Sequence, residues 1–198
     1  MNKENISGYG PQITTYTGRL FKIMDPEPDF HIDDIAHALS NTCRYAGHCR
    51  EFYSVAEHSV LVSNLVDELH LGDPFIGLMH DGHEAYFSDV PSPFKALLPD
   101  WIAIDVALEE KLYNYFNMTF PREPGIKEAD VIAFFIEREH LFSPAGNLTY
   151  SAIQNPELKY KAEELMKQGW EIICWSPEDA EYHFMRVYER LQKQTRED

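Results

Sequence analysis

Histidine and aspartate stand side by side at positions 80 and 81, directly after Phe75, Ile76, Leu78 and Met79. The apolar spacing predicts one helix from Asp73 to about Tyr86, with Asp73 as N-cap and Pro74 at its first position. Burying a polar group without a partner costs roughly 1–3 kcal/mol, and more for a charge, so His80 and Asp81 need compensation. Two other residues are placed to supply it. His58 begins the series His58, Leu61, Val62, Leu65, Val66, Leu69, one continuous helical face that turns its imidazole inward. Asp130 stands among Ile126, Ala129, Ala133 and Phe134. Taken singly, each residue fits a satisfied polar group in a core. Together, two imidazoles and two carboxylates from three helices form a mixed nitrogen and oxygen donor set. It suits a divalent transition ion such as Mn, Co, Fe, Ni or Zn and leaves positions open for water and substrate.

The elements that must position these groups are mainly helical. Gly8, Gly10, Pro11, Gly18, Pro26 and Pro28 place loops in the first thirty residues, with a short strand or hairpin between Thr14 and Ile23. Helices are expected over Asp33–Asn41, Ala56–His70, Trp101–Phe116, Ile126–Leu141, Pro156–Lys167 and Pro177–Gln194. The Ile126–Leu141 helix is apolar nearly all round and should be central. The last helix opens on Ser176-Pro177-Glu178-Asp179, a serine cap with an acid at the third position. Asp89 to Pro93 is expected to be a loop, because two prolines two residues apart do not fit a helix interior.

Composition bounds the chemistry further. With 44% hydrophobic residues, no repeat and no Gly/Ser-rich linker, the 198 residues fit one all-α domain. A net charge of −16 repels phosphate backbones and anionic headgroups, so neither nucleic acid nor a membrane is an expected partner. An anionic small molecule still binds where an ion and a few Arg or Lys side chains reverse the sign inside one pocket. No segment approaches the roughly 20 consecutive apolar residues of a membrane helix, and Val131–Ile136 is short enough to be a core segment. Met1–Asn5 lacks the pattern of a secretory leader. Cys43, Cys49 and Cys174, without CxxC spacing, read as reduced thiols. The expected location is therefore cytoplasmic, that of a host if the chain is phage-encoded.

The series Ser54-Val55-Ala56-Glu57-His58-Ser59, His80-Asp81-Gly82-His83-Glu84-Ala85, Asp89-Val90-Pro91-Ser92-Pro93-Phe94-Lys95 and Lys127-Glu128-Ala129-Asp130 resembles the HD-domain metal-dependent phosphohydrolases. It is most similar to bacterial 5'-deoxynucleotidases and to phage proteins that include dATP triphosphohydrolases. The resemblance runs from about residue 31 to 142 and implies a single HD-domain helical bundle. It implies that His58, His80, Asp81 and Asp130 bind a divalent metal (Zn, Co or Mn). Glu84 matches the acid that handles protons, and Asp89 matches the acid that orients the attacking water. Arg44 matches a phosphate-contacting arginine that tryptophan often follows, here Tyr45. Lys95 is a second candidate for phosphate, the alternatives being a surface salt bridge for Arg44 and a solvated loop for Lys95.

Further candidates are open. His48 could meet a phosphate or base. His83 could take a second metal or touch substrate, or instead face solvent or support the ligands. Glu137 could support the ligands from below Asp130, and Tyr86, Phe87 and Trp101 could stack a base or simply fill the core. The activity that the resemblance implies is hydrolysis of a small deoxynucleotide by a homo-oligomer. The resemblance points first to a dATP-type triphosphohydrolase releasing deoxynucleoside and triphosphate; the alternatives are a 5'-deoxynucleotidase releasing phosphate, a non-catalytic nucleotide sensor, and a phosphodiesterase, for which only His83 is at hand as an additional ligand for a second metal.

Overall fold

A computed structural model describes residues 10–143 and 155–197; the readings made for Met1–Asn5 and Gly8 lie outside them. The described chain is mainly helical. Strands β1 (Gln12–Thr14) and β2 (Leu20–Lys22) pair antiparallel, Ile13 opposite Phe21, as the expected hairpin. Helices α1 (Ile32–Asn41), α2 (Val55–Glu68), α3 (Pro74–Met79), α4 (Ser92–Lys95), α5 (Pro99–Tyr115), α6 (Pro124–Leu141), α7 (Pro156–Lys167) and α8 (Pro177–Glu197) follow.

The helix starts are written in short polar side chains and prolines. Ser54, Asp73, Asn155 and Ser176 each accept a hydrogen bond from a backbone N–H in the first turn, satisfying a donor the helix cannot. Proline occupies the first turn of α3 through α8, where its missing N–H costs nothing. Ser54 and Glu57 have the spacing of a capping box, yet the Glu57 carboxylate is used elsewhere. It is buried, and it accepts from the backbone N–H groups of Ile173, Cys174 and Trp175 at 3.1, 3.0 and 2.7 Å. That grip fastens the approach to α8 onto α2.

α6 lies between α2 and α7 and also touches α3, but it is buried along one side, and α2, packed against α1, α3, α6 and α8, is the more central helix. The buried side of α6, Ile126, Ala129, Ile132, Ala133 and Ile136, joins one core with Val62, Leu65 and Val66 of α2. α8 covers α1, α2 and α3. The crossing of α2 and α3 is close because Gly77 has no side chain: a Cβ there would lie 3.1 Å from Ser63 Cα.

Two further expectations are corrected. The helix beginning at Pro74 does not run to Tyr86. It ends at Met79, Asp81 leaves helical geometry (φ −106°, ψ 12°), and Gly82–Tyr86 forms a tighter 3-10 turn closed by Glu84 N–H onto the Asp81 carbonyl at 2.9 Å. His80 and Asp81 therefore sit in the break between two elements and not in mid-helix. Pro91 to Pro93 is not all loop either: Ser92–Lys95 is a helical turn, with Pro93 within its first turn, where proline is tolerated.

Gly77→Ala is expected to lower unfolding stability by roughly 1–3 kcal/mol through overpacking against α2. Gly125→Ala is expected to cost more, because a Cβ there would lie 1.8 Å from the Leu71 carbonyl oxygen, which is backbone and cannot swing aside. Urea denaturation of both variants reads the difference.

Candidate metal centre

α2, the α3 break and α6 bring the four expected ligands together. His58 and His80 are fully buried, while Asp81 and Asp130 retain some exposure. His58 Nε2 lies 3.2 Å from His80 Nε2, 3.4 Å from Asp130 Oδ1 and 3.6 Å from Asp81 Oδ2. His80 Nε2 is 3.2 Å from Asp81 Oδ2. One ligand atom each from His58, His80 and Asp130 falls within a span of 4.8 Å, with Asp81 alongside.

The orientation of the two rings is what makes this a donor set. His58 Nδ1 donates to Glu137 Oε1 at 2.6 Å, and His80 Nδ1 donates to the Gly77 carbonyl at 2.8 Å. With both Nδ1 atoms occupied, both Nε2 atoms face one point, the arrangement in which a supporting acceptor fixes the tautomer of a metal-binding histidine. Two imidazole nitrogens 3.2 Å apart with two carboxylates beside them fit a divalent cation.

Glu137 is the support beneath them. It is completely buried and receives the Tyr53 hydroxyl at 3.0 Å, the Tyr45 hydroxyl and His58, with Arg44 at 3.5 Å. Burial pushes its carboxyl up, but Arg44 and His58 overcome this and hold it at about 2. Burial and Arg44 push His58 down, yet Glu137 and Asp130 hold it up at about 9. Burial also opposes ionisation of Asp81 and Asp130; the imidazoles prevail and keep both below the usual carboxylate range.

Two further carboxyls, Glu84 and Asp89, adjoin this centre. Glu84 is buried, accepts from Lys95 Nζ at 2.9 Å through Oε1, and has no hydrogen-bond partner at Oε2 among the described residues. Burial, Asp81 and Asp89 raise its carboxyl well above the ordinary range, against the pull of Lys95. Asp89 is also raised by burial, with Arg44 opposing. Arg44 is no surface residue: its guanidinium reaches Asp81 at 3.6 Å as well as Glu137, and among the described residues its Nε has no hydrogen-bond partner. It begins a turn, Arg44–Gly47, in which Tyr45 and Ala46 are both left-handed (φ 56° and 52°), and that turn lays the Tyr45 hydroxyl on Glu137.

Other candidates land elsewhere. His48 ends the same turn, exposed, with its backbone N–H on the Tyr45 carbonyl, and no hydrogen bond or ion pair joins its ring to the cluster. Lys95 lies on α4 and not in a solvated loop. His83 does not face solvent: it is buried and donates through Nε2 to Asp105 at 3.2 Å. Tyr86 stacks on Phe21 at 3.8 Å in the core, and Phe87 meets Trp101 edge-on at 5.0 Å. The three cysteines are free thiols. Among the described residues, no helix is long and apolar enough to cross a membrane.

Residues not anticipated also reach the centre. Tyr53 lies on Glu137. Arg122 donates to the His80 carbonyl at 3.5 Å and is held by Glu109, while Asp105 sits between His83 and Lys95. None lies within the motifs, so only the fold reveals them.

No model of a known protein family matches the chain. It is 40% identical over 132 residues to the uncharacterized protein YfdR of Escherichia coli K12, which covers 65% of this chain and 71% of that protein. It is 32% identical over 140 residues to an uncharacterized protein of Rhodobacter capsulatus, covering 63% of this chain and 70% of the relative.

Glu137→Gln is expected to weaken zinc or manganese binding 10- to 100-fold, as loss of a carboxylate behind a ligand histidine does; chelator competition measures it. In metal-free protein, a folded-state His58 value near 9 against an ordinary 6.5 contributes stability that is fully present below 6.5. It is lost as pH rises through about 9. The urea midpoint should fall over that window in the wild type and not in His58→Gln.

Proposed function

The chain belongs to the family of the Escherichia coli protein YfdR, and for it we propose a metal-dependent phosphohydrolase of the HD type acting on a small deoxynucleotide. The observation that supports this best is the meeting of His58 Nε2, His80 Nε2, Asp81 and Asp130 beside a buried carboxyl, Glu84, with one oxygen unpartnered.

His58, His80, Asp81 and Asp130 would hold Zn, Co or Mn. When bound, such an ion polarises a phosphoryl oxygen and lowers the pKa of water towards neutrality. The protein's own groups do the rest. Glu84, raised by burial and by Asp81 and Asp89, keeps a proton at a pH where an exposed glutamate has lost it. It can therefore give that proton to a leaving oxygen, or take one from the attacking water. Asp89, which feels the charges of Arg44, Asp81 and Lys95, would orient that water. Arg44, whose Nε has no partner among the described residues, would offset phosphate charge in a protein that is acidic overall.

Within this reading we assign first the triphosphohydrolase reaction, on the resemblance of Arg44-Tyr45-Ala46-Gly47-His48 to the phage group. The 5'-deoxynucleotidase reaction is its competitor. A sensor would have no need of Glu84, whose partly unpartnered, buried carboxyl favours an enzyme.

Metal-loaded protein offered dNMPs, dNTPs and ribonucleotides separately should release deoxynucleoside and triphosphate from a dNTP, read by chromatography. Phosphate from dNMPs alone would instead make it a 5'-deoxynucleotidase, and no turnover with Mn, Co or Zn would sink the enzyme reading. Glu84→Gln should lose on the order of 10²- to 10⁴-fold in kcat while still binding metal.

A further inference from the structure

From Ser92 to Ala107 no residue is fully buried; along α5 the first that is buried is Leu108. Yet the stretch has the composition of a core, with Lys95, Asp100 and Asp105 as its only charges. Two of these are turned onto the site: Lys95 donates to Glu84 at 2.9 Å and lies 3.6 Å from Asp105, which also takes His83 at 3.2 Å. Asp100 is the one fully exposed charge of the stretch. By contrast Phe94, Leu97, Leu98, Ile102, Ile104 and Val106 are 39% to 75% exposed. At about 3.6 residues per turn, Ile102 and Val106 continue through the exposed Ala103 and Ala107 to Ile104 as one arc of α5. The backbone carries that surface into α4 without a break, since Leu97 N–H donates to Phe94 at 3.0 Å and Ile102 N–H to Leu98 at 3.1 Å.

We propose that this face of α4 and α5 docks a second copy of the chain, the two α5 helices packing across a two-fold axis. Three properties of the face select that occupant. The first is area. At roughly 150 Å² for a large side chain, the six exposed apolar residues leave about 450 Å² open. A standard interface covers about 800 Å² on each partner, and about 65% of a homodimer interface is apolar, so about 500 Å² is what one side needs. The second is charge. With −16 on the chain, nucleic acid and anionic lipid are repelled, and a cationic partner is drawn to acids that this face lacks. A second copy brings the same uncharged surface and keeps its own acids outside the contact. The third is shape: a two-fold axis lays one patch on itself, and Ala103 and Ala107 leave room for the two helices to approach. A contiguous apolar surface of this size marks a contact site. None of this depends on the reading of the metal centre as a hydrolase.

Sedimentation equilibrium of the full chain over a wide range of concentration tests this. The wild type is expected as an assembly of 23.0 kDa chains. Leu97→Asp, Ile102→Asp and Val106→Asp should each weaken association about tenfold or more, with far-UV circular dichroism unchanged, because the replaced side chains are exposed in the single chain. Tyr182→Asp, at an exposed aromatic of α8, should leave the mass as it is. Raising salt should tighten the assembly, since it screens the repulsion between two acidic copies. In the unaltered protein, amide hydrogen exchange over residues 92–107 should slow as concentration rises through the association range. A wild type that stays monomeric, or an assembly whose mass none of the three variants lowers, overturns the inference. So does a monomer that binds zwitterionic phosphatidylcholine vesicles and loses them on Leu97→Asp, which would give the face to a lipid surface instead.

Discussion

The contact between His58 Nδ1 and Glu137, 2.6 Å long and shielded from water, is the interaction on which the centre depends. A carboxylate in that position would be expensive to bury alone. It is tolerable because two tyrosine hydroxyls, an imidazole and a guanidinium converge on it. The same convergence joins α6, α2 and the Arg44 turn through one buried group. The consequence for chemistry is directional: with Nδ1 committed to Glu137, only Nε2 of His58 remains to face His80, Asp81 and Asp130.

Around that fixed point the charges are sorted into two kinds. Asp81 and Asp130 are held ionised by the imidazoles, as metal ligands would have to be, whereas Glu84 and Asp89 are raised by burial and by neighbouring carboxylates. Carboxylates a few residues apart thus differ in proton affinity, and such a pattern marks a candidate functional site better than any one residue does.

Much of the centre was legible in the sequence because helical periodicity reports burial. His58 heads a continuous apolar face, and Asp130 interrupts one, so both inward polar groups could be read from spacing alone. The extents of α2, α6 and α7 came from the same signal, and caps such as Asp73 and Ser176 marked helix starts. The turn at His80-Asp81 was not legible, since its apolar approach looks like an uninterrupted helix and only backbone geometry shows the break. Asp105, Glu109 and Arg122 were hidden for a different reason. Their partners lie 10 to 42 positions away in sequence, and an acid on a helix of an acidic chain looks like any solvated charge. Nothing in the sequence showed that Glu57 grips the backbone of Ile173 to Trp175, a contact made across more than a hundred positions.

Soaking crystals of the protein with zinc and collecting data at the zinc absorption edge tests the metal centre most directly. One anomalous peak is expected, bonded to His58 Nε2, His80 Nε2, Asp81 and Asp130 at about 2.0–2.2 Å, with Glu137 still on His58 Nδ1. A crystal with zinc bound only elsewhere, and the two imidazoles still facing each other across an ion-free gap, would contradict it.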